Sequence, residues 1–270
     1  MTSFSFPHPA TALVTGAAGN IGRAVAESLA GHGHNLVLAD LPAAATALSD
    51  TSDRCREIDA SIAIDEITFD VRDADEVAAA LAASAERIGT AQFVVNNAGY
   101  QGLFDNVLDY DLADMAEVVA INAVGVFHVL QASARLIRNA GMAGSIVNVA
   151  SMAAHGAPNM PAYSMSKGAV VSLTKASSKD LAPFGIRVNS VSPGFIGPGA
   201  MWERQVAEQA RTESPYYADD PSKVAEQMIG QVPLGRYGSL DEVARVVTFL
   251  LSDAASYLAG SDLEIAGGAN

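Results

Sequence analysis

The chain is poor in cysteine and in positive charge, and each shortage closes off a class of protein. Cys55 is the only cysteine among 270 residues, so no internal disulfide framework can form and a reducing compartment suits the chain. It stands in the polar stretch Thr51–Glu57, without partners for a metal or redox role. Lysine and arginine number 16 against 30 aspartates and glutamates, for a net charge of −14. That balance argues against non-specific binding to nucleic acid or to an anionic membrane surface. The segment before Thr11 lacks the cationic start and apolar run of a signal peptide. No uncharged stretch approaches the roughly 18–20 apolar residues of a membrane span. The expectation is a soluble cytoplasmic protein with no metal site, no nucleic-acid partner and no membrane partner.

What the chain has in abundance is apolar surface to bury: half of its residues are hydrophobic, enough for the core of one large α/β domain. Short runs rich in Val and Ile fall at Ala12–Thr15, Asn35–Asp40, Ile62–Phe69, Phe93–Asn96, Ser145–Ala150, Arg187–Val191 and Leu263–Ile265. Most are continuous rather than alternating, the pattern of strands covered on both faces. Longer Ala-rich amphipathic stretches lie between them, near Ile21–Gly31, Ala74–Ile88, Leu112–Asn139, Ala162–Phe184 and Leu240–Ser252. Alternation of strand and helix implies parallel pairing with right-handed crossovers, hence a single doubly wound α/β domain across residues 1–270. One segment breaks the rhythm. Residues 195–233 carry several prolines together with Met201, Trp202, Tyr216, Tyr217 and Met228, and read either as a packed surface subdomain or as a substrate lid.

After the first strand comes Thr15-Gly16-Ala17-Ala18-Gly19-Asn20-Ile21-Gly22, leading directly into a helix. Glycines there permit a tight turn and let backbone approach a pyrophosphate, whose charge then faces the helix N-terminus. Three glycines alone could be ordinary turn residues; strand before and helix after turn them into a dinucleotide site. The second strand ends at Asp40, 18 residues past Gly22. A carboxylate there accepts both hydroxyls of an adenosine ribose and repels the extra phosphate of NADP, and neither Ala18 nor Asn20 offers a cation to pair that phosphate. Asp40 could also be a helix cap before Leu41-Pro42. The ribose role, given the loop upstream, makes NAD the expected cofactor.

A second constellation is Ser151 with Tyr163-Ser164-Met165-Ser166-Lys167. Four residues apart on a helix, Tyr163 and Lys167 share a face. Alcohol oxidation needs a base that removes the hydroxyl proton as hydride leaves carbon. A free phenol near pKa 10 is a poor base at neutral pH, but an ammonium and an oxidised nicotinamide nearby both favour the phenolate. Ser151 follows the strand ending at Ala150, where open α/β sheets present catalytic groups, and its hydroxyl can hold a substrate oxygen. In isolation Tyr163 and Lys167 could be a solvent-facing pair and Ser151 a strand terminator; together, downstream of a nucleotide loop, they point to hydride transfer at a carbinol carbon.

With these residues the chain resembles the short-chain dehydrogenase/reductase family, in its compact form, over nearly its whole length. The matching positions are Thr15–Gly22, Asp70-Val71, Asn96-Asn97-Ala98-Gly99, Asn122, Ser151, Tyr163, Lys167 and Pro193-Gly194. The resemblance implies a seven-stranded, mainly parallel sheet and a homotetramer packed through the helices that hold Asn122 and Lys167. It implies that Gly16, Asn20, Ile21 and Gly22 hold the dinucleotide, that Asp70 and Val71 meet its adenine, and that Asn97, Ala98 and Gly99 run along it. It further implies Tyr163 as acid/base, Lys167 as the group that lowers its pKa and binds the nicotinamide ribose, Ser151 as the holder of the substrate oxygen, and Asn122 as part of a proton relay. One position departs from the pattern: where the family often has a threonine four residues after Gly194, this chain has Pro198, which supplies no donor. Anchoring of the nicotinamide carboxamide would then rest on Pro193, Gly194 and the Ile196 backbone.

Candidates for the substrate wall are Tyr100 and Gln101, Met152 and His155, and Phe195 with Trp202. His155 is either a substrate contact or a solvated loop residue, and Trp202 either packs under the lid or touches substrate. The expected reaction is NAD-dependent oxidation of a secondary alcohol to a ketone or its reverse, with a sugar, polyol or sugar acid favoured by Gln101, His155 and Asn159. The competing readings are a non-catalytic NAD(P)-binding regulatory protein of the same fold and a sugar-nucleotide epimerase or dehydratase. The first would lack Tyr163 or Lys167; the second usually has different glycine spacing and a larger carboxy-terminal domain.

Overall fold

The computed structural model describes residue 6, residues 10–212 and residues 215–269. The signal-peptide expectation therefore falls mostly outside the described residues, as do Glu213 and Ser214 of the expected lid.

Seven strands form one parallel sheet in the order β3-β2-β1-β4-β5-β6-β7. They are β1 (Thr11–Thr15), β2 (Asn35–Asp40), β3 (Ile64–Thr68), β4 (Ala91–Asn96), β5 (Gly144–Val149), β6 (Ile186–Pro193) and β7 (Asp262–Ile265). Alternate residues of each strand feed opposite cores, as side-chain direction along a strand requires. Ala12 and Val14, Leu36 and Leu38, and Phe93 and Val95 face one helical layer. Leu13, Val37 and Val94 face the other. The first layer contains α1 (Asn20–Ala30), α2 (Ala45–Ile58) and α9 (Leu240–Leu251); the second contains α3 (Ala74–Ile88), α5 (Val126–Asn139) and α6 (Pro161–Leu181). Helix starts follow ordinary capping chemistry: Asp73 accepts from the amides of Asp75 and Glu76, Ser239 and Glu242 form a reciprocal box, and Pro161 opens α6.

Three features depart from expectation. Helix α2 lies in sequence that reads as polar. Its buried positions are Leu48, Thr51, Ser52 and Cys55, which keep helical spacing but contribute little hydrophobic signal. Cys55 is fully buried against the core, and desolvation pushes its thiol up to about 12, so it is a small core residue rather than part of a polar loop. The second departure is apolarity. The helix expected over Leu112–Asn139 forms with those bounds, as α4 (Leu112–Val119), a π-helical stretch Ala120–Gly125 and α5, and it is long and apolar enough by length and composition to cross a membrane. Asn122, Gly125, His128 and Gln131 interrupt the apolar run and hide that apolarity in the sequence; its inner side packs on α3, α6 and β4. Third, residues 195–233 fold into two helices, α7 (Ala200–Arg211) and α8 (Pro221–Gly230). They have a small core of their own around Trp202, Val206, Val224 and Met228.

A buried polar chain fixes α6 to the sheet. Asn96 Nδ2 donates to Asn148 Oδ1 at 2.8 Å, Asn148 Nδ2 donates to Thr174 Oγ1 at 2.9 Å, and Thr174 donates in turn to the Val170 carbonyl. Asn148 has no exposed surface. Truncating it strands a donor on Asn96 and an acceptor on Thr174, each a desolvated group without a partner. Asn148→Ala is expected to lower unfolding free energy in urea by about 2–4 kcal/mol; a loss under about 0.5 kcal/mol would mean that water replaces the amide.

Candidate active site

The chain leaves β1 for β2 and β3 on one side, then crosses to β4 on the other, so β1 and β4 are neighbours whose connections diverge. A crevice opens at such a switch point, outside the carboxyl ends of the strands. The two exits are stitched together. The Thr15 hydroxyl accepts from the amides of Asn97 and Ala98, both at 3.1 Å, and Asn97 Nδ2 donates to the carbonyls of Thr15 and Gly16 at 3.0 and 3.1 Å. This closeness demands glycine. Gly16 has φ +64°, and a Cβ on Gly22 would stand 2.1 Å from the Gly16 carbonyl oxygen, well inside contact distance.

A cleft of about 650 Å³ runs from this turn toward the edge of the sheet. Gly16, Asn20, Ile21, Asp40, Asp70 and Val71 border it, and so do Asn97, Ala98, Gly99 and Ile196. Gly22 is buried behind the turn, where its role is to let the loop close. Asp40 is held in place: its two carboxylate oxygens accept from the Ala18 amide at 2.9 Å and the Leu41 amide at 2.8 Å. Asp70 is engaged by Arg72, whose guanidinium also reaches Glu117 and holds the Asp70 carboxyl below its ordinary range. Arg72 borders the cleft as well and was missed at the sequence level; its position beside Asp70-Val71 was the available signal. The cradle of small residues and the fixed carboxylate at the end of β2 fit a dinucleotide.

A second cavity of about 260 Å³ adjoins the first, and the two share Asn97, Gly99, Tyr100 and Ile196 on one side and Met201 and Trp202 on the other. Ser151, Tyr163, Lys167, Pro193 and Gly194 border this inner crevice, as do Gln101, Met152, His155 and Phe195. Tyr163 keeps part of its surface open to the crevice, yet the protein around it pushes its phenol up to about 12; a hydrogen bond with Ser151 pulls the other way. Lys167 is 3% exposed, its ammonium donates to the Val149 carbonyl at 2.8 Å, and burial lowers it to about 8. The ammonium lies 5.6 Å from the centre of the Tyr163 ring. Ser151 Oγ accepts from the Ala153 amide at 3.1 Å as it caps the short helical turn Met152–His155.

Asn122 borders neither cavity. It sits in the π-helical stretch, fully buried, where its side chain accepts from the Tyr100 amide at 2.8 Å and donates to the Tyr100 carbonyl at 2.7 Å and to Ser166 Oγ at 3.0 Å. His155 pairs with Glu264 at 3.2 Å at the mouth of the crevice. Trp202 packs edge-on to Phe195 and tilted against Tyr237 while bordering both cavities, so it both supports the lid and faces the site. The Ile196 bridge to Gly238 uses the Phe195 carbonyl and the Gly197 amide, which keeps the Ile196 backbone groups out of that ladder.

Comparison with known proteins agrees with the fold. A family model described as enoyl-(acyl carrier protein) reductase matches residues 16–270. L-2,3-butanediol dehydrogenase of Corynebacterium glutamicum is 33% identical over 95% of this chain and 97% of its own. Galactitol 2-dehydrogenase (L-tagatose-forming) of Cereibacter sphaeroides is 36% identical over 96% of this chain and 94% of its own. Among solved structures, NAD⁺-bound xylitol dehydrogenase superposes with a TM-score of 0.93 at 45% identity, covering 97% of this chain and 99% of that one.

Proposed function

We propose that this chain, which belongs to the short-chain dehydrogenase/reductase family, is an NAD-dependent oxidoreductase acting on a secondary alcohol or the matching ketone, with sugars, polyols and sugar acids as its substrate class. The observation that carries this reading is the continuity of the two cavities: the dinucleotide cleft opens into the crevice where Tyr163 and Lys167 stand. NAD, when bound, supplies the carbon that accepts the hydride and a positive charge beside the phenol.

The chain's own residues then divide the work. Tyr163 takes the hydroxyl proton in oxidation and returns it in reduction. With an ordinary pKa near 10 already raised by burial, it needs positive charge close by to act as a base at neutral pH. Lys167 supplies part of that charge and is the natural partner of the nicotinamide ribose. Ser151, fixed by its cap on Ala153, holds the substrate oxygen. Asn122 is assigned to proton exchange around Lys167: its Oδ1 and the lysine Nζ both border the space beside Gly99. Pro193, Gly194 and the Ile196 backbone are left to anchor the carboxamide end. Metal chemistry has no assigned part, and among the described residues no cluster of His, Cys, Asp or Glu could hold an ion.

We further assign a homotetramer and a cytoplasmic location. Exposed Leu112, Phe127 and Met165 on the long helix and α6 support assembly through those helices. A regulatory protein without catalysis has less in its favour, since Tyr163, Lys167 and Ser151 are all brought to one crevice.

Tyr163→Phe should retain NAD affinity by calorimetric titration while kcat falls by about 10²–10⁴-fold; near-normal turnover would remove the phenol from the mechanism. Asp40→Asn keeps the size of the side chain and removes the charge, giving up one of the two bonds from the Ala18 and Leu41 amides. It should reduce the NAD over NADP preference in kcat/KM by at least about tenfold, equivalent to about 1.4 kcal/mol, whereas an unchanged ratio would place cofactor selection elsewhere.

A further inference from the structure

Resting on the dehydrogenase reading and narrowing its substrate class, we propose that the inner crevice is built for a neutral polyol and rejects the sugar acids of that class, with Gln101 and Gln205 reading hydroxyls remote from the reacting carbon. The crevice is unusually rich in amides: Gln101, Gln205, Gln209 and Gln231 all border it. Two of them are already committed to the protein. Gln209 accepts from Asn159 Nδ2 at 2.8 Å and donates to the Pro158 carbonyl at 3.0 Å, and Gln231 bonds the Tyr217 hydroxyl.

The other two are available. Gln101 is 5% exposed and its Oε1 accepts from Arg204 at 3.4 Å. A guanidinium only donates, so the amide oxygen must face Arg204 and the NH₂ end remains for a ligand oxygen. Arg204 is itself immobilised: it donates to the Gly102 carbonyl at 2.8 Å and lies over the rings of Tyr100 and Phe104 at 5.8 and 5.7 Å. Gln205 is the next residue on α7, half-buried, and has no hydrogen bond to the protein among the described residues. Both ends of its amide can serve a hydroxyl, which is donor and acceptor at once.

Charge supplies the other half of the argument. Among the described residues Lys167 is the one lysine or arginine bordering the crevice, and its ammonium is engaged by the Val149 carbonyl deep in the fold. His155 is paired with Glu264. A substrate carboxylate in this crevice would be desolvated with no free cation to meet it and with Glu264 near the mouth. Hydroxyls, in contrast, find amides on two walls. A site that hydrogen-bonds hydroxyls also discriminates strongly against analogues lacking them, because its own buried groups would be left unpaired.

The test is reduction of NAD by the wild-type protein on three probes: a five-carbon polyol, the corresponding five-carbon aldonate, and 2,3-butanediol, which has no remote hydroxyl. The expected kcat/KM is highest for the polyol, at least about tenfold below it for the diol and at least about a hundredfold below it for the aldonate. Gln205→Leu and Gln101→Leu should each lower the polyol to diol ratio of kcat/KM by at least about tenfold, as expected for loss of hydrogen bonds to hydroxyls. Aldonate turnover equal to that of the polyol, or a diol equal to the polyol in the wild type, would overturn the proposal and leave the dehydrogenase standing. Failure of all three probes and of a wider panel of secondary alcohols would overturn both.

Discussion

An ammonium group held almost without solvent is the constraint around which this site is organised. Lys167 reaches from α6 to the end of β5, where one carbonyl of Val149 receives it. The same dense surroundings act in opposite directions on its neighbour: burial lowers the lysine to about 8 and raises Tyr163 to about 12. Both shifts favour neutral forms, as desolvation must. The hydrogen bond from Ser151 opposes the rise of the phenol without cancelling it. Near neutral pH the pair therefore rests as phenol and ammonium, with the proton held on Tyr163. Removing it takes additional positive charge in the crevice, since each unit of pKa corresponds to about 1.4 kcal/mol. The cleft assigned to the cofactor adjoins the crevice in which this pair stands.

That arrangement depends on tolerances set far from the reacting groups. Tyr163 and Lys167 share a face of α6, and α6 is registered on the sheet by the chain of amides from Asn96 through Asn148 to Thr174. The opposite wall is registered differently, by Thr15 and Asn97 across the exits of β1 and β4. Asn122 joins the two: it fixes the Tyr100 backbone on one side and Ser166, between Tyr163 and Lys167, on the other. The π-helical stretch at Ala120–Gly125 is what brings an amide to that junction, a use of irregular helix that recurs at functional sites. Its side chain works on geometry whatever its part in proton exchange.

The sheet and its crevice were legible because their signals are local: continuous Val and Ile runs, a glycine turn between strand and helix, and a Tyr-x-x-x-Lys spacing. Strand boundaries moved by one or two residues, as at β3, where Ile62 and Phe69 pack as core residues beyond the ends of the strand. What remained hidden depends on contacts rather than pattern. Helix α2 buries Thr51, Ser52 and Cys55, small residues whose burial no hydrophobic periodicity announces. The long helix Leu112–Asn139 was read with the right bounds but not as apolar over its full length, because single polar residues punctuate it. In the site, Gln205 was invisible, since it belongs to no motif and is significant only for what lies opposite, whereas Arg72 directly follows Asp70-Val71 and was overlooked. In residues 195–233, read as either lid or subdomain, α7 and α8 share a core and α7 also borders the crevice.

This last point bears on how one scaffold comes to serve different alcohols. Helix α7 places Met201 and Trp202 where the two cavities meet and Gln205 one turn further along the inner crevice. Arg204 and Thr212 tie the same helix to the loop after β4, through the carbonyls of Gly102 and Phe104. The loop carrying Gln101 and the helix carrying Gln205 are thus tied together, the helix supported by the cluster of Trp202, Val206, Val224 and Met228. Among the described residues none of the helix's side-chain hydrogen bonds involves Ser151, Tyr163 or Lys167; Gln209 ties it instead to Pro158 and Asn159, ahead of α6. Substrate-facing groups can therefore change while the proton-handling groups keep their registration, and the functional division of the molecule follows the division between the sheet and the cover laid over its edge.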